Sequence, residues 1–401
     1  ASRLGVKATD EKTLEITLSY PDPEFISKLC LPGAFPCNED FFNYCKGAYG
    51  LVGEKKPNSN IMANGEFNIT VWNETDGFTL RRETKDNSQI NRIRLVTEGE
   101  YFAEEVAQTS SSDEPPTFPT EEERLADGTS NGEILSATSG SGYNETLFSS
   151  TNWTLSFNCK DKYFKNANIR AGLRDCSLFS KIYDENLVYS SATGLIPKSV
   201  TLFEKSFRDE ATGNIMPKDN GSILYKQGQS ELYAEGVVGG DMALTKVKIL
   251  VPDTPELVKM TEILSQLWQR DLSAFYSIEP LPLAELTKRV KAGDYQLAIY
   301  PFTAVENNVL SLLTRFSKNS RENVWGYDSP YFDGKLENIS ESIGMGQRMA
   351  QYISAEDTLL SDAVCVPLWS ENSVFALSGV KNVVIDPFGP VVDLKWAQTD
   401  E

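Results

Sequence analysis

The sequence predicts an α/β fold, and the clearest indication is a strand–helix–strand–helix–strand series in its second half. KVKILV (246–251) is typical of a buried strand, and so is YQLAIYPF (295–302). Between them, residues 254–272 carry apolar side chains at helical spacing, residues 273–283 are extended, and residues 283–293 predict a short helix. A β-α-β-α-β series is the unit from which open parallel sheets are built.

The segment TAVENN (303–308) follows the last strand of that series, and it is the first place to look for a ligand. In open α/β sheets, ligands bind outside the carboxyl ends of the strands, where the strand order reverses. The sequence therefore predicts ligand contacts near the end of the strand at 296–302.

Length and charge limit the function. The chain has 401 residues, enough for two or three domains, and a formal net charge of −19. That charge excludes a nucleic-acid partner, since phosphate binding needs a basic face. The opening ASRLGVKATDEKTLEITL enters a strand–turn–strand pattern at once, with its turn at 10–12. We therefore expect Ala1 to lie inside a longer chain, whose absent part would have room for a signal peptide.

Residue types also limit the chemistry. The chain has six cysteines without CxxC spacing and no histidine, so we expect no metal site and no cofactor. A Ser-His-Asp or Cys-His site within the chain is excluded. A disulfide between Cys30 and Cys37 and buried free thiols remain equal alternatives.

The remaining segments alternate between strands and helices. Residues 108–142 are rich in Ser, Pro, Glu and Gly and predict an exposed, mobile excursion with a short helix at 121–126. Residues 190–245 are predicted to be irregular. Other predicted strands are 62–83, 90–99, 152–159, 363–377 and 380–397, and other predicted helices are 162–187 (with Asn166 as N-cap), 307–320 and 345–362.

Several segments carry information through their order and spacing, although no single motif is specific: LGVKATDEKTLEITLSYPDPEFISKL, NGEFNITVW, YFKNANIRAGLRDC, LTKRVKAGDYQLAIYPF and AVCVPLWSENSVFAL. In this order, they resemble the bacterial extracellular solute-binding proteins of family 5, the oligopeptide/dipeptide/nickel-type receptors of ABC importers.

The resemblance implies a two-lobed periplasmic-binding-protein-like (type II) α/β fold with mixed sheets, lacking the N-terminal part of the family. Residues 1–61 would be a remnant of the small extra domain. Residues 62–163, with return strands at 371–401, would form lobe I, and residues 164–370 lobe II.

The resemblance also implies a function. The chain would capture a peptide or similar small solute by hinge closure of its lobes and deliver it to a membrane permease. It would be a monomer outside the cytoplasmic membrane, lipid-anchored or periplasmic, and not an enzyme. The alternatives are a cell-surface carbohydrate-active enzyme using two carboxylates and a structural or adhesive surface protein.

Nine residues are the predicted ligand contacts. Trp153, Phe302, Trp325 and Tyr327 would stack on a ligand, although aromatics beside strands are more often core residues. The resemblance implies an aspartate that pairs with a peptide amine after the strand at 296–302, but Val305 stands there and Glu306 follows. Glu306 is either that amine partner or a solvated loop residue. The remaining contacts are Asn158, Thr303 and Asn307, the last of which would bond a peptide backbone or cap the next helix.

Overall fold

The elements below are those of a computed structural model. It describes residues 5–18, 25, 29, 36–51, 57–62, 65–73, 77–82, 90–95, 133–136, 144–177, 188–202, 205–211, 220–341, 344–388 and 392–399.

The described strands are β1 (Val6–Ala8), β2 (Leu14–Ile16), β3 (Phe67–Asn73), β4 (Gly77–Arg82), β5 (Arg92–Leu95), β6 (Glu133–Ser136), β7 (Asn144–Phe157), β8 (Tyr189–Ser191), β9 (Thr201–Leu202), β10 (Lys205–Ser206), β11 (Lys248–Pro252), β12 (Ser277–Leu281), β13 (Leu297–Thr303), β14 (Cys365–Ser378), β15 (Val380–Lys381), β16 (Val384–Ile385), β17 (Val392–Asp393) and β18 (Gln398–Thr399). The described α-helices are α1 (Glu39–Tyr44), α2 (Ala167–Asp175), α3 (Phe207–Glu210), α4 (Gly221–Ala234), α5 (Pro255–Leu272), α6 (Leu283–Ala292), α7 (Val309–Thr314), α8 (Pro330–Glu341) and α9 (Met345–Ser361).

The chain divides into two compact units. Unit 1 comprises Ala1–Phe25, Leu147–Val374 and Pro387–Gly389, and unit 2 comprises Ile26–Thr146, Phe375–Asp386 and Pro390–Glu401. Unit 1 contains both α2 and the part of β7 from Leu147 to Phe157, whereas the predicted lobes divide the chain at 163/164. The lobe boundaries stay a prediction.

The β-α-β-α-β prediction is confirmed in unit 1. Strand β11 pairs in parallel with β12 and with β13, and β13 pairs antiparallel with β7, from Leu297 opposite Phe157 to Thr303 opposite Thr151. The order of the strands within unit 1 is β12-β11-β13-β7-β14, and β8 pairs with β14. The sheet is therefore mixed. Helix α6 ends at Gly293, whose φ of 74° is the left-handed conformation that glycine adopts without strain.

Side chains that alternate between the two faces of the sheet divide the core of unit 1 into layers. One core cluster packs α2, α4 and α5 against Trp153, Leu155 and Phe157 of β7. A second packs α7, α8 and α9 around Phe302, and a third, smaller one packs α6 on Leu250 and Ala298. Since successive strand residues point to opposite faces, these clusters cover the mixed sheet on both sides.

Helix α4 shows that the prediction of irregular structure over 190–245 is wrong at 221–234. The reason is close packing through glycine. A Cβ atom at Gly172 of α2 would lie 2.7 Å from Cβ of Tyr225, and one at Gly228 would lie 2.8 Å from Cγ1 of Ile169. Helix α4 therefore packs against α2 through glycine. Its sequence lacks the apolar stripe by which helices are usually predicted.

This contact reverses the expected effect of an alanine at Gly172. Alanine is the better helix former by about 1 kcal/mol. Because its methyl group would collide with the backbone of α4, we expect Gly172→Ala to lower the free energy of unfolding by about 1–3 kcal/mol. The matched control is Gly334 in α8, where a Cβ meets nothing within 4 Å. Gly334→Ala should raise stability by about 0.5–1 kcal/mol, measured by urea denaturation. Equal shifts of the same sign would contradict this packing.

Other elements are shorter than predicted. Helix α2 begins at Ala167, after Asn166, whose side chain accepts from the backbone N–H of Ile169 as predicted, but it ends at Asp175. Residues 178–187 of that predicted helix lie outside the described residues. Helix α7 covers only Val309–Thr314 of the predicted 307–320, because Asn308 caps it and turns follow it. The predicted strands at 380–397 are pairs of two-residue strands, β15 with β18 and β16 with β17.

Unit 2 contains the antiparallel sheet β3-β4-β5 and the helix α1. Its strand β6 pairs with residues 375–378 of β14, so the prediction of a mobile excursion over 108–142 is wrong at 133–136. Strand β6 forms because its backbone pairs with a strand that is distant in the sequence, and amino-acid composition gives no indication of such pairing. The predicted helix at 121–126 lies outside the described residues.

The opening hairpin is confirmed as β1 and β2, with Asp10 accepting from the backbone N–H of Lys12 in the turn. The thiols of Cys37, Cys45, Cys159, Cys176 and Cys365 are free, and Cys30 lies outside the described residues. Within the described ranges, no helix is long and apolar enough to cross a membrane.

Candidate functional site

The candidate site is the edge of the unit 1 sheet at which β11 and β13 end. Three contacts hold the last residues of β13 there. The hydroxyls of Thr151 and Thr303 lie 2.9 Å apart, the backbone N–H of Ala304 donates to the carbonyl of Ser150 at 2.8 Å, and Nη1 of Arg315 donates to the carbonyl of Thr303 at 2.9 Å. The edge is therefore a fixed platform that carries the exit loop, residues 304–308.

The exit loop presents side chains of different kinds. Val305 is 67% exposed, Glu306 is half-buried and Asn307 is exposed. Asn307 uses both ends of its amide on Thr201: Oδ1 accepts from the backbone N–H at 2.8 Å, and Nδ2 donates to Oγ1 at 2.7 Å. Asn308, and not Asn307, caps α7, since its Oδ1 accepts from the N–H of Ser311. The amide of Asn307 thus holds the loop to Thr201.

Glu306 lies within the electrostatic reach of Arg315. Burial lowers the pKa of the Arg315 guanidinium, and the charges of Glu322 and Glu306 oppose that effect. Nε of Arg315 lies 3.1 Å from a carboxylate oxygen of Glu322. A cation is therefore already near Glu306 without any ligand.

Three of the predicted aromatic contacts are core residues of the second cluster. Phe302 is 1% exposed and Trp325 is 2% exposed, and the Trp325 ring stacks on Phe316 with centroids 4.0 Å apart. The indole N–H of Trp325 donates to Ser156 Oγ at 2.9 Å. Tyr327 donates its hydroxyl to Asp362, and burial raises the pKa of that hydroxyl. Packing and buried hydrogen bonds account for these three side chains.

Asn158 lies at the opposite end of the sheet. Since β7 runs antiparallel to β13, the residue after Phe157 lies beside the start of β13. Its Nδ2 donates to the carbonyls of Gly293 and Tyr295 at 3.1 and 2.9 Å. The backbone of Trp325 is at this end too, because its carbonyl accepts from the N–H of Cys159. The structure therefore does not bring Asn158 to the exit loop.

Trp153 does lie at the edge, together with two residues that are not among the predicted contacts, Glu371 and Tyr189. The indole N–H of Trp153 donates to Oε2 of Glu371 at 2.7 Å. Tyr189 stands directly opposite Glu371 in the pairing of β8 with β14. Chiefly burial, and then the charges of Glu371 and Glu256, raise the pKa of the Tyr189 hydroxyl. A signal was present in the sequence: Glu371 is the only charged residue in the segment CVPLWSENSVFALS.

Trp153 and Thr303 share one face of this edge. The odd-numbered residues of β7 from Thr151 to Phe157 point to the same side, and Thr303 is the partner of Thr151. The face therefore combines the two threonine hydroxyls, an indole and a carboxylate, which are groups that bind polar ligands without bond-breaking chemistry. No group of three His, Cys, Asp or Glu able to hold a metal ion occurs in the described part of the chain.

A buried network supports the platform from the other face. Asn152 donates to the carbonyls of Gly194 and Leu195, both at 3.0 Å, and accepts from the hydroxyl of Ser370 at 2.7 Å. Next to it, Glu356 and Arg208 form an ion pair with Nη1 to Oε1 at 2.6 Å and Nη2 to Oε2 at 2.8 Å. These bonds fix the segment from 194 to 201 that holds Asn307.

Comparisons with known proteins agree with this architecture. The model of the family described as "Bacterial extracellular solute-binding proteins, family 5 Middle" matches residues 1–323. The chain is 22% identical to the dipeptide-binding protein DppE of Bacillus subtilis, over 98% of this chain and 69% of that protein. It is 24% identical to the periplasmic oligopeptide-binding protein OppA of Escherichia coli, over 91% of this chain and 64% of that protein.

Solved structures show the same fold. The pheromone receptor PrgZ matches with a TM-score of 0.72 at 21% identity, over 100% of this chain and 76% of that chain. OppA of Listeria monocytogenes, solved with bound peptide, matches with a TM-score of 0.72 at 20% identity, over 99% and 75% of the two chains.

Fold and edge geometry together define the periplasmic-binding-protein-like (type II) α/β class that the sequence predicts. The chain belongs to the bacterial extracellular solute-binding proteins, family 5. That family consists of solute-binding proteins of the extracytoplasmic space. The chain spans about two thirds of the length of the curated relatives it matches, from 64% to 69% in the two named above.

Proposed function

We propose that the chain is the substrate-binding receptor of an ABC importer, which captures a peptide or a similar small solute and delivers it to a membrane permease. Membership of family 5 and relatives named as dipeptide- and oligopeptide-binding proteins support the proposal. The observation that carries it is the polar edge of unit 1, with the hydroxyls of Thr151 and Thr303 and the carboxylate of Glu371 where β11 and β13 end. Capture by hinge closure of the predicted lobes is part of the proposal.

The edge suits an extended peptide backbone. Hydroxyls donate and accept, so Thr303 and Thr151 match both the N–H and the C=O groups of a peptide. The exit loop offers the exposed Val305 for apolar contact and Glu306 for a charged group. A ligand held in this way by hydroxyls and main-chain groups is recognised through its backbone, so peptides with different side chains would bind.

Receptor chemistry makes and breaks no bond, so we propose that the chain is not an enzyme. A monomer in the extracytoplasmic space, periplasmic or held by a lipid anchor, completes the proposal. The family supports the compartment.

A ligand screen tests the function. We expect di- to pentapeptides to raise the melting temperature of the chain saturably, because a ligand that binds only the folded state stabilises it in proportion to the logarithm of its concentration. The screen is run beside a glycoside-hydrolysis assay. Saturable binding without turnover supports the receptor, whereas turnover would show an enzyme. Neither stabilisation nor turnover would contradict the proposal and favour a structural or adhesive surface protein.

A further inference from the structure

Glu371 places a carboxylate at the polar edge of the unit 1 sheet. It stands in the middle of β14 as the only charged residue of that strand, and it is half-buried. An ionised carboxylate that is partly removed from water is costly unless it is paired. Within the described residues, Glu371 accepts one hydrogen bond, from Trp153, and has no ion pair with a lysine or arginine.

The carboxylate is held in a fixed position. Trp153, its donor, is 6% exposed and belongs to the first core cluster, so the indole cannot follow a moving partner. The 2.7 Å hydrogen bond therefore holds Oε2 of Glu371 against a side chain that is itself fixed in the core. A preorganised charge of this kind binds a ligand group without paying again for the ordering of its own side chain.

A second carboxylate lies near Glu371 in the described part of the chain. That of Glu256, exposed in the first turn of α5, acts on the same Tyr189 hydroxyl as Glu371. The Tyr189 hydroxyl keeps its proton at neutral pH, because burial and both carboxylates raise its pKa. Tyr189 therefore stays neutral, and the two charged groups that act on its hydroxyl are both carboxylates, which favour a nearby cation.

Glu306 differs from Glu371 in this respect. The Arg315 guanidinium acts on Glu306 in the folded chain, so a ligand cation at Glu306 would compete with a resident charge. Among the described residues, no lysine or arginine pairs with Glu371, so a ligand cation there would meet no such competitor. Both carboxylates belong to the edge where β13 ends, but Glu371 is on the face that Trp153 shares with Thr303.

We propose that Glu371 is the specificity-determining carboxylate of the ligand site and that it pairs with a protonated primary amine of the ligand. This rests on the proposed function and names its ligand class: a peptide or related solute that carries an ammonium group, either at its amino terminus or on a lysine side chain. We expect Glu371→Gln to fold, because the glutamine keeps a side-chain oxygen that can accept the hydrogen bond from Trp153.

The experiment compares three peptides by titration calorimetry: tetra-alanine, its N-acetylated form, and N-acetyl-Ala-Lys-Ala-Ala. The wild type should bind one of the two amine-bearing peptides about 10- to 100-fold more tightly than N-acetyl-tetra-alanine, as for a charge-assisted hydrogen bond. The peptide that shows the preference identifies the source of the amine. Glu371→Gln should reduce the ratio to about one and leave the affinity for N-acetyl-tetra-alanine within about two-fold.

Two variants complete the design. Glu262→Gln, on the exposed face of α5, makes the same change of net charge and should keep the wild-type ratio. Glu306→Gln decides between the carboxylates: if it abolishes the preference and Glu371→Gln does not, the assignment of Glu371 is overturned. A wild-type ratio of one overturns it without any variant.

The proposed function fails separately, if the wild type binds none of the three peptides. The assignment of Glu371 is then decided with cadaverine alone, by the melting temperature of the wild type and of Glu371→Gln. If cadaverine raises the melting temperature of the wild type but not that of Glu371→Gln, the assignment is supported. If it changes the two melting temperatures equally, the assignment is overturned.

Discussion

Replacing Glu356 by glutamine is expected to lower the free energy of unfolding by about 3–5 kcal/mol, as for other buried ion pairs that lose one partner. Glu356 is 0% exposed and Arg208 is 4% exposed. Oε1 of Glu356 accepts from the backbone N–H groups of Leu195 and Ile196 at 2.7 and 2.9 Å, in addition to Arg208. A glutamine would turn an N–H₂ group towards donors and leave the Arg208 charge buried without compensation.

Urea denaturation followed by tryptophan fluorescence measures this effect. Glu262→Gln is the matched control, since Glu262 is exposed and its loss should change stability by less than about 0.5 kcal/mol. The double variant Glu356→Met with Arg208→Met should recover part of the loss, because it removes both charges. If Glu356→Gln were as stable as Glu262→Gln, water or a local rearrangement would have to satisfy the hydrogen bonds that Glu356 makes, which would contradict the expected loss.

The second large effect is expected at Arg170 in α2. Its guanidinium donates to the carbonyls of Phe164 at 2.7 Å, Asp362 at 2.8 Å and Ala363 at 3.1 Å, and the residue is 6% exposed. Two of these carbonyls follow α9, whose last turn contains no basic residue of its own. The Arg170 charge therefore stabilises the carboxyl end of α9 through hydrogen bonds and the helix dipole.

Arg170→Met keeps the apolar stem and removes the donors, so several buried carbonyls lose their partners. We expect the free energy of unfolding to fall by about 2–4 kcal/mol. Arg170→Lys should lose part of this amount, because one ammonium group cannot reproduce the planar fork. Arg270→Met is the control on the surface, where 63% of the side chain is exposed. A loss at Arg170 no larger than at Arg270 would refute the proposed stabilisation of α9.

Local patterns predicted the elements that organise unit 1. Helix α5 has Leu257, Leu264 and Trp268 at helical spacing, and all three are fully buried. Helix α6 ends at Gly293, as its sequence indicates. In both cases the periodicity belongs to the element itself, so no knowledge of a partner is needed.

Elements that depend on a partner were not predicted. Helix α4 is stabilised against α2 through Gly228 and through Gly172, and glycines give no helical signal. Strand β6 depends on pairing with β14. The hydrogen bond between Trp153 and Glu371 joins residues 218 positions apart, which no local pattern can reveal.

The structure confirms that the exit loop follows β13 at the sheet edge, and its role as a ligand site stays a prediction. Sheet geometry located the exit loop, and the structure shows the polar groups of Thr303, Glu306 and Asn307 there. Asn158 lies at the other end because β7 runs antiparallel to β13, a direction that the sequence does not specify. Phe302 and Trp325 were named for stacking, but their burial depends on helices α7 to α9, which cover that face of the sheet.

Hydrogen exchange of the backbone amides, with and without the tightest-binding peptide of the screen, tests the location of the site most directly. We expect slower exchange on ligand addition at residues 301–308 and 369–374, the segments that carry the exit loop and Glu371. Protection confined to residues 158–161 and 323–327, at the opposite end of the sheet, would contradict it.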